Sequence, residues 1–186
     1  PRLLVRAVES AQTQTHPPLE IIIIFEKQED IPDDWVSCPP DSVRMYKNTG
    51  SGVSAARNTG IKKVRSQYLA FLDDDDVWLP TKIERHLEKM DNTDAQPIAT
   101  YSGVQQRDNN NQLNALKTPE VTYRNMLTGN HIGTFSTLLV RRSAINEVGM
   151  LDESLSCWED WDYYLRLLKQ GRVQAVSEPL VLRYSG

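Results

Sequence analysis

Cysteine is scarce in this 186-residue sequence, which contains only Cys38 and Cys157. Two distant thiols cannot form the disulfide framework that holds small secreted domains together, so we expect a reduced, cytoplasmic setting. A single disulfide between the two cysteines stays as an alternative. Long apolar runs are also missing: the run Ile21–Phe25 is far too short to cross a bilayer, which takes about 20 apolar residues. The first residues show no pattern of a secretory signal peptide.

A strong charge of either sign is absent as well. The formal net charge is −4, and this weakly acidic balance argues against a broad nucleic-acid-binding surface. Anionic small ligands are not excluded, because a bound cation reverses the local sign of the charge. The three histidines, His16, His86 and His131, lie far apart without metal-ligand spacing. Hydrophobic residues make up 39% of the chain, which is enough for the core of one globular domain.

Hydrophobic periodicity predicts a chain of alternating strands and helices. Helical spacing predicts helices over residues 3–14, 54–64, 80–90, 143–148 and 160–169. Apolar and β-branched runs predict strands over residues 19–25, 43–46, 68–72, 98–104, 137–140, 173–176 and 180–184, and the polar run 108–111 predicts a turn. We therefore expect one α/β domain over residues 1–186, with a mixed, mostly parallel central sheet and helices on both faces. Such sheets bind ligands beyond the carboxyl ends of their strands.

Four consecutive aspartates, at positions 73–76, directly follow the apolar run 68–72. Two like charges about 4 Å apart repel by roughly 1 kcal/mol in water and by about 4 kcal/mol at an effective dielectric constant of 20. A hard divalent cation offsets such repulsion, since Mg²⁺ and Mn²⁺ bind carboxylate oxygens together with substrate phosphates. The run is flanked by core-like residues at a strand end, which favours a cation site over a solvated loop.

Three metal-dependent chemistries compete for this run. A calcium-binding EF-hand loop counted from Asp73 is excluded, because Trp78 occupies the position that needs glycine and Pro80 follows. A phosphohydrolase of the haloacid dehalogenase type would use Asp73, Asp75 and Val77. That motif usually lies on the first strand of its domain, whereas two predicted strands precede this run. The phosphohydrolase stays as an alternative beside the third chemistry, glycosyl transfer.

A resemblance favours glycosyl transfer. Residues 52–61 read Gly-Val-Ser-Ala-Ala-Arg-Asn-Thr-Gly-Ile, and residues 68–78 read Tyr-Leu-Ala-Phe-Leu-Asp-Asp-Asp-Asp-Val-Trp. With the opening helix, the strand 19–24 and the segments 147–153 and 158–162, their order and spacing resemble family 2 glycosyltransferases. The resemblance implies a GT-A fold and an inverting transferase with a DxD motif. Such an enzyme moves a sugar from a nucleotide-diphosphate donor to an acceptor hydroxyl in glycan or polysaccharide biosynthesis.

The resemblance also implies roles for donor-side residues. Asp73 or Asp74 would contact the ribose, and Asp75 would bind Mn²⁺ or Mg²⁺ on the diphosphate. Arg57 and Asn58 match a motif beside the nucleotide, with a surface salt bridge as the alternative for the arginine. Where the family has two aspartates at the nucleobase, this chain has Phe25 and then Glu26. The Glu26 carboxylate can still accept a hydrogen bond from a base imide.

On the acceptor side, the resemblance makes Asp160 the general base that takes the proton of the acceptor hydroxyl. A helix N-cap is the alternative role for this aspartate, because an apolar periodic run follows it. Glu159, Trp158, Trp161 and His131 are further candidates for acceptor binding. The two tryptophans could stack on sugar rings or belong to the core, and the loop at His131 could be purely structural.

The family's first strand has no counterpart in this sequence. We therefore expect a catalytic domain without that strand, with room for a further C-terminal segment. The expected partners are a nucleotide-diphosphate sugar and a saccharide or lipid-linked acceptor; a lipid-linked acceptor would place the protein peripherally at the inner face of a membrane. Phe25 and the absent strand leave a non-catalytic nucleotide-sugar-binding module as another alternative. Nucleotide, sugar, linkage and oligomeric state stay open.

Overall fold

The computed structural model describes residues 2–37, 39–91, 96–107, 113–115 and 118–183. Its helices are α1 (Arg2–Gln12), α2 (Asp33–Ser37), α3 (Gly52–Lys63), α4 (Lys82–Asp91), α5 (Tyr123–Met126), α6 (Arg142–Val148) and α7 (Glu159–Gln170). Its strands are β1 (Ile21–Phe25), β2 (Val43–Lys47), β3 (Tyr68–Ala70), β4 (Asp76–Trp78), β5 (Ala99–Arg107), β6 (Leu113–Ala115), β7 (Leu138–Arg141) and β8 (Val173–Arg183). Single 3-10 turns lie at Gln28–Asp30 and Phe135–Thr137. The turn predicted at 108–111 lies outside the described residues.

The strands form two sheets. Strands β1 and β2 pair in parallel, while a larger sheet has the order β3-β7-β5-β8-β4, with β6 added to β5. A mixed α/β architecture is confirmed, but the expected excess of parallel pairs is wrong: of the six described pairs, only β1–β2 and β5–β8 are parallel. The five residues between β3 and β4 are too few for a parallel crossover, which takes about a dozen. The two strands lie at opposite ends of the sheet, each paired antiparallel with a strand from later in the chain.

Helices cover both faces of the larger sheet. Leu138 and Val140 of β7 point into a core that contains α7 residues, whereas Leu139 between them points into a second core with residues of α1 and α4. This alternation is what a strand buried on both faces requires. The first core is rich in fully buried aromatic rings, with Phe135 at 5.4 Å from the Tyr164 ring centroid. Each such side chain stabilises the fold by roughly 1.5–3 kcal/mol.

A cleft of about 880 Å³ separates the two sheets. Residues of β1 and β3 line it, and within the described part of the chain β1 pairs only with β2 and β3 only with β7. Each of these strands therefore has one edge whose backbone groups lack a ladder partner. Helix α1 lies over the cleft, since Leu4, Ala7 and Val8 also line it. The cleft therefore lies between two strands, β1 and β3, that each have an unpaired edge.

We propose that one extended apolar segment fills this cleft as a β-strand and joins the two sheets. A strand-forming segment fused through a short loop before Arg2 should raise the melting temperature and slow amide hydrogen exchange in β1 and β3, because ladder hydrogen bonds form. The same segment with a central proline cannot donate its ladder bond and should give much less protection. Equal exchange in both fusions would contradict the proposal.

Candidate functional site

The acid-rich turn, residues 73–76, lies at the carboxyl end of β3, where the sequence analysis predicted a ligand site. Asp73 is the most tightly held of its carboxylates. Its Oδ1 accepts a hydrogen bond from Arg57 Nη2 at 2.8 Å, and its Oδ2 accepts one from Thr134 Oγ1 at 2.7 Å. Its backbone N–H donates to Ser136 Oγ at 3.0 Å. Asp73 is therefore fixed by three contacts from two other parts of the chain.

The other three aspartates differ in environment. Asp74 and Asp75 are exposed on the turn, at the mouth of the cleft. Asp76 begins β4 and is only 2% exposed, and its Oδ1 has no hydrogen-bond partner. Burial, more than any neighbouring charge, raises the pKa of Asp76 to about 6. Asp74 and Asp75 are thus the most exposed carboxylates of the four.

Arg57 of α3 connects the acid-rich turn to the start of α7. While its Nη2 holds Asp73, its Nη1 donates to Glu159 Oε1 at 2.8 Å. The guanidinium also lies over the Phe135 ring, 4.3 Å from the centroid, and its side chain is only 12% exposed. This is not the surface salt bridge considered as an alternative. Both terminal nitrogens are engaged, although Arg57 does line the cleft.

Asp160 lies in the first turn of α7 and is partly buried. Its Oδ1 accepts from the backbone N–H of Trp161 at 2.6 Å, and its Oδ2 accepts from Asn130 Nδ2 at 3.1 Å. Burial is the main cause that raises the pKa of Asp160, and the Glu159 charge adds to it; the Arg57 charge opposes both. Trp158 occupies the N-cap position, so Asp160 does not have the capping role considered as an alternative.

The loop at 130–134 reaches both acidic groups, through residues that the sequence analysis missed. Asn130 contacts Asp160, and Thr134 contacts Asp73. His131, the predicted member of this loop, is exposed and has its Nε2 at 3.4 Å from Thr128 Oγ1. The Asn130 Oδ1 accepts from the backbone N–H of Gly133 at 2.9 Å, which closes the loop on itself. The sequence signal for such a turn was Asn130 three residues before Gly133, since asparagine and glycine favour turns.

The two tryptophans at the start of α7 have different surroundings. Trp161 packs against the aromatic core and its Nε1 donates to the Met126 carbonyl at 2.6 Å, so it belongs mainly to the structure. Trp158 is 63% exposed and has a φ of 64°, which is unusual for a bulky side chain. Such backbone strain costs about 1–3 kcal/mol and is concentrated at functional sites. Trp158 is therefore the one of the pair that can contact a ligand.

Glu26, the expected nucleobase contact, follows β1 at the cleft. Its Oε1 accepts from Asn48 Nδ2 at 2.7 Å and from the backbone N–H of Gly52 at 3.2 Å. Gly52 begins α3 with a φ of +83°, a conformation that favours glycine. Glu26 thus ties β1 to the start of α3, while its exposed carboxylate still borders the cleft.

Asn58 has a structural position. It is 3% exposed, and its Nδ2 donates to the Leu151 carbonyl at 3.0 Å and to Glu153 Oε1 at 2.8 Å. Its Oδ1 accepts from the Leu151 N–H at 2.9 Å. Asn58 thus fastens α3 to the loop after α6, and its place beside a nucleotide stays a prediction.

The donor atoms around the turn fit a cation that also binds a ligand. Within the described ranges no group of three or more His, Cys, Asp and Glu side chains is placed to hold a metal ion by itself. Mg²⁺ and Mn²⁺ nonetheless bind through one or two carboxylates when substrate phosphates complete the shell. Asp75, with Asp74 beside it, offers such an exposed pair, whereas Asp73 is already occupied by Arg57 and Thr134.

Comparison with solved structures defines the architecture. The chain superposes on S. aureus TarS 1–349 with a TM-score of 0.73 over 98% of this chain and 57% of that one, at 15% identity. The same fragment in complex with UDP-GlcNAc gives a TM-score of 0.73, over 98% of this chain and 55% of that one, at 16% identity. The mixed sheet with its helices is the GT-A fold of glycosyltransferases, as expected.

Sequence comparison gives the family. The model of glycosyl transferase family 2 matches residues 1–149, and the chain belongs to this family. It is 25% identical to an uncharacterised glycosyltransferase of Rickettsia typhi, over 94% of this chain and 57% of that protein. It is 29% identical to the Escherichia coli UDP-Glc:alpha-D-GlcNAc-diphosphoundecaprenol beta-1,3-glucosyltransferase WfaP, over 95% of this chain and 69% of that protein.

Family membership removes the phosphohydrolase alternative, because the matched region contains the whole acid-rich turn. The first relatives are considerably longer, since the chain spans 57% of each of two Rickettsia proteins. None of the helices in the described residues has the length and apolar character needed to cross a bilayer.

Proposed function

We propose that the domain is an inverting glycosyltransferase that moves a sugar from a nucleotide-diphosphate donor to an acceptor hydroxyl. One observation carries the proposal: Arg57 and the 130–134 loop hold the acid-rich turn and the carboxylate of Asp160 in one site. The acid-rich turn is needed to bind a diphosphate through a cation, and the Asp160 carboxylate is needed to remove a proton from the acceptor.

Asp160 is the general base in this proposal. The acceptor oxygen attacks the anomeric carbon while its proton passes to a carboxylate oxygen of Asp160. The bond between that carbon and the diphosphate oxygen breaks, and the nucleoside diphosphate leaves with the electron pair. A single displacement inverts the anomeric configuration. Burial supports this role, because it raises the pKa of Asp160 and makes the carboxylate a stronger base than an ordinary aspartate.

On the donor side, Asp75 is the proposed ligand of Mn²⁺ or Mg²⁺, and Asp73 or Asp74 the proposed contact of the ribose. The bound cation would neutralise negative charge on the leaving diphosphate. Asp74 suits the ribose better, because both oxygens of Asp73 already accept hydrogen bonds. The exposed carboxylate of Glu26, directly after β1, is the proposed acceptor of a hydrogen bond from a base imide.

For the substrates, we infer a uridine-diphosphate sugar and a lipid-linked saccharide. The complex of TarS with UDP-GlcNAc and the name of the WfaP relative support this choice. The exposed Trp158 ring, two residues before Asp160, is the proposed stacking surface for the acceptor sugar. A lipid-linked acceptor would require peripheral contact with the inner face of a membrane.

Thermal shift with sugar nucleotides tests the proposal. A UDP-sugar at about 100 times its Kd should stabilise the fold by about 2.7 kcal/mol, which is about 5–10 °C for a domain of this size. The shift should need Mn²⁺ or Mg²⁺ and should be smaller for GDP- and dTDP-sugars. No shift with any sugar nucleotide, at saturating cation, would refute donor binding by this domain.

A further inference from the structure

The polar contacts of the site form a closed ring. Arg57 joins Asp73 to Glu159 at 2.8 Å each, and Glu159 is followed in the chain by Asp160. Asn130 joins Asp160 at 3.1 Å to the loop whose Thr134 returns to Asp73 at 2.7 Å. Two separate paths therefore connect the donor-side turn to the general base. One is a single side chain, and the other is a loop.

The Arg57 side of this ring is built to be rigid. The Arg57 and Glu159 side chains are only 12% and 16% exposed. The Phe135 ring packs against the guanidinium, and this ring is itself fully buried against Tyr163 and Tyr164. A guanidinium has separate N–H groups in a fixed planar fork, so one side chain can hold two carboxylates in a set relation; an ammonium group on a flexible stem cannot.

We propose that Arg57 is a positioning residue, which holds the start of α7 against the acid-rich turn so that Asp160 faces the sugar of a bound donor. The inference rests on the proposed transferase function and adds to it a role that does not involve contact with substrate. It differs from the expected role of Arg57 as a nucleotide ligand, because both of its terminal nitrogens already serve carboxylates.

Loss of Arg57 should also change the electrostatics of Asp160. The charges that act on this carboxylate are Glu159 on the same helix and Arg57 on α3, and the Tyr164 hydroxyl lies in their field. Without Arg57, its favourable charge is lost and the Glu159 carboxylate is left without its ion-pair partner beside Asp160. Both changes raise the pKa of Asp160 further.

The experiment compares Arg57→Lys and Arg57→Ala with Arg141→Lys as matched control. Arg141 is another largely buried arginine, with three hydrogen bonds far from the site. For Arg57→Lys we expect kcat to fall about 10–100-fold, as for small misplacements of catalytic groups, while the KM for the donor stays within about threefold. In Arg57→Ala the acidic limb of the kcat/KM profile should also move to higher pH, because the guanidinium charge is lost. Methylguanidinium should partly restore Arg57→Ala.

Carbon-13 NMR titration of Asp160, assigned with Asp160→Asn, gives a readout that does not need turnover. Its pKa should rise in Arg57→Ala, which removes the guanidinium charge, and stay unchanged in Arg141→Lys. An unchanged Asp160 pKa in Arg57→Ala, or a kcat of Arg57→Lys no lower than that of Arg141→Lys, would overturn the positioning role. A large rise in donor KM at constant kcat would overturn it too, in favour of phosphate binding. Absence of transfer by the wild-type protein would instead defeat the proposed function, whereas the NMR titration would still show whether Arg57 sets the pKa of Asp160.

Discussion

Replacement of Asp160 by asparagine should lower kcat by about 10²–10⁴-fold, the usual contribution of a general base. The amide is nearly the same size as the carboxylate but cannot take a proton from the acceptor hydroxyl. Affinity for the donor, measured by calorimetry with a UDP-sugar and Mn²⁺, should stay within about threefold of wild type, because Asp160 lies on the acceptor side of the proposed site.

Asp162→Asn is the matched control for this variant. Asp162 lies two residues further along α7, and its carboxylate forms a surface ion pair with Arg166 at 2.9 Å. Exposed pairs contribute about 0–1 kcal/mol, so both turnover and stability should change little. Turnover by Asp160→Asn at the wild-type rate would show that the base lies elsewhere.

The pH dependence of the wild-type enzyme follows from the same carboxylate. Burial raises the pKa of Asp160 above the ordinary aspartate value of about 3.9. The base is active when ionised, so kcat/KM should fall as pH decreases through this raised pKa. The acidic limb should therefore lie above the range of an exposed aspartate, and it should disappear from the residual activity of Asp160→Asn.

Elements with a clear hydrophobic pattern could be predicted from the sequence, with their ends correct to within two residues. The β-branched run predicted over 19–25 became β1 (Ile21–Phe25), and the helix predicted over 160–169 became α7 (Glu159–Gln170). Strand β4 could not be found this way, because it is three residues long and begins with a charged residue. It exists because its backbone pairs with β8, about 100 residues later in the chain.

Candidate site residues could be proposed from the sequence, but the contacts between them could not. The position of Asp73 after a predicted strand indicated a cation site from local context, whereas the role of Asp160 came from the family resemblance. The partners of Arg57 lie 16 and 102 residues away, and no local pattern distinguishes a carboxylate that binds a ligand from one that binds an arginine. Asn58 shows the same limit: although it is next to Arg57 in the motif, its side chain is buried against the loop after α6, since neighbours on a helix face different directions.

Asp75→Asn should remove the dependence of donor binding on the cation. Loss of a second-shell partner typically costs 10–100-fold in metal affinity, so loss of a carboxylate ligand should cost at least about that much. Donor affinity with Mn²⁺ should then fall to the level that the wild-type protein shows with a chelator. The free protein should be no less stable, because the exposed carboxylate has like-charged neighbours that repel it.

Asp74→Asn separates the two proposed roles on the turn. If Asp74 contacts the ribose, this variant should weaken donor binding by a similar factor with and without Mn²⁺, whereas Asp75→Asn should weaken it only with the cation. Calorimetric titration of both variants under the two conditions gives four affinities. Cation dependence retained in Asp75→Asn but lost in Asp74→Asn would exchange the two assignments. Cation dependence retained in both would remove the acid-rich turn from metal binding altogether.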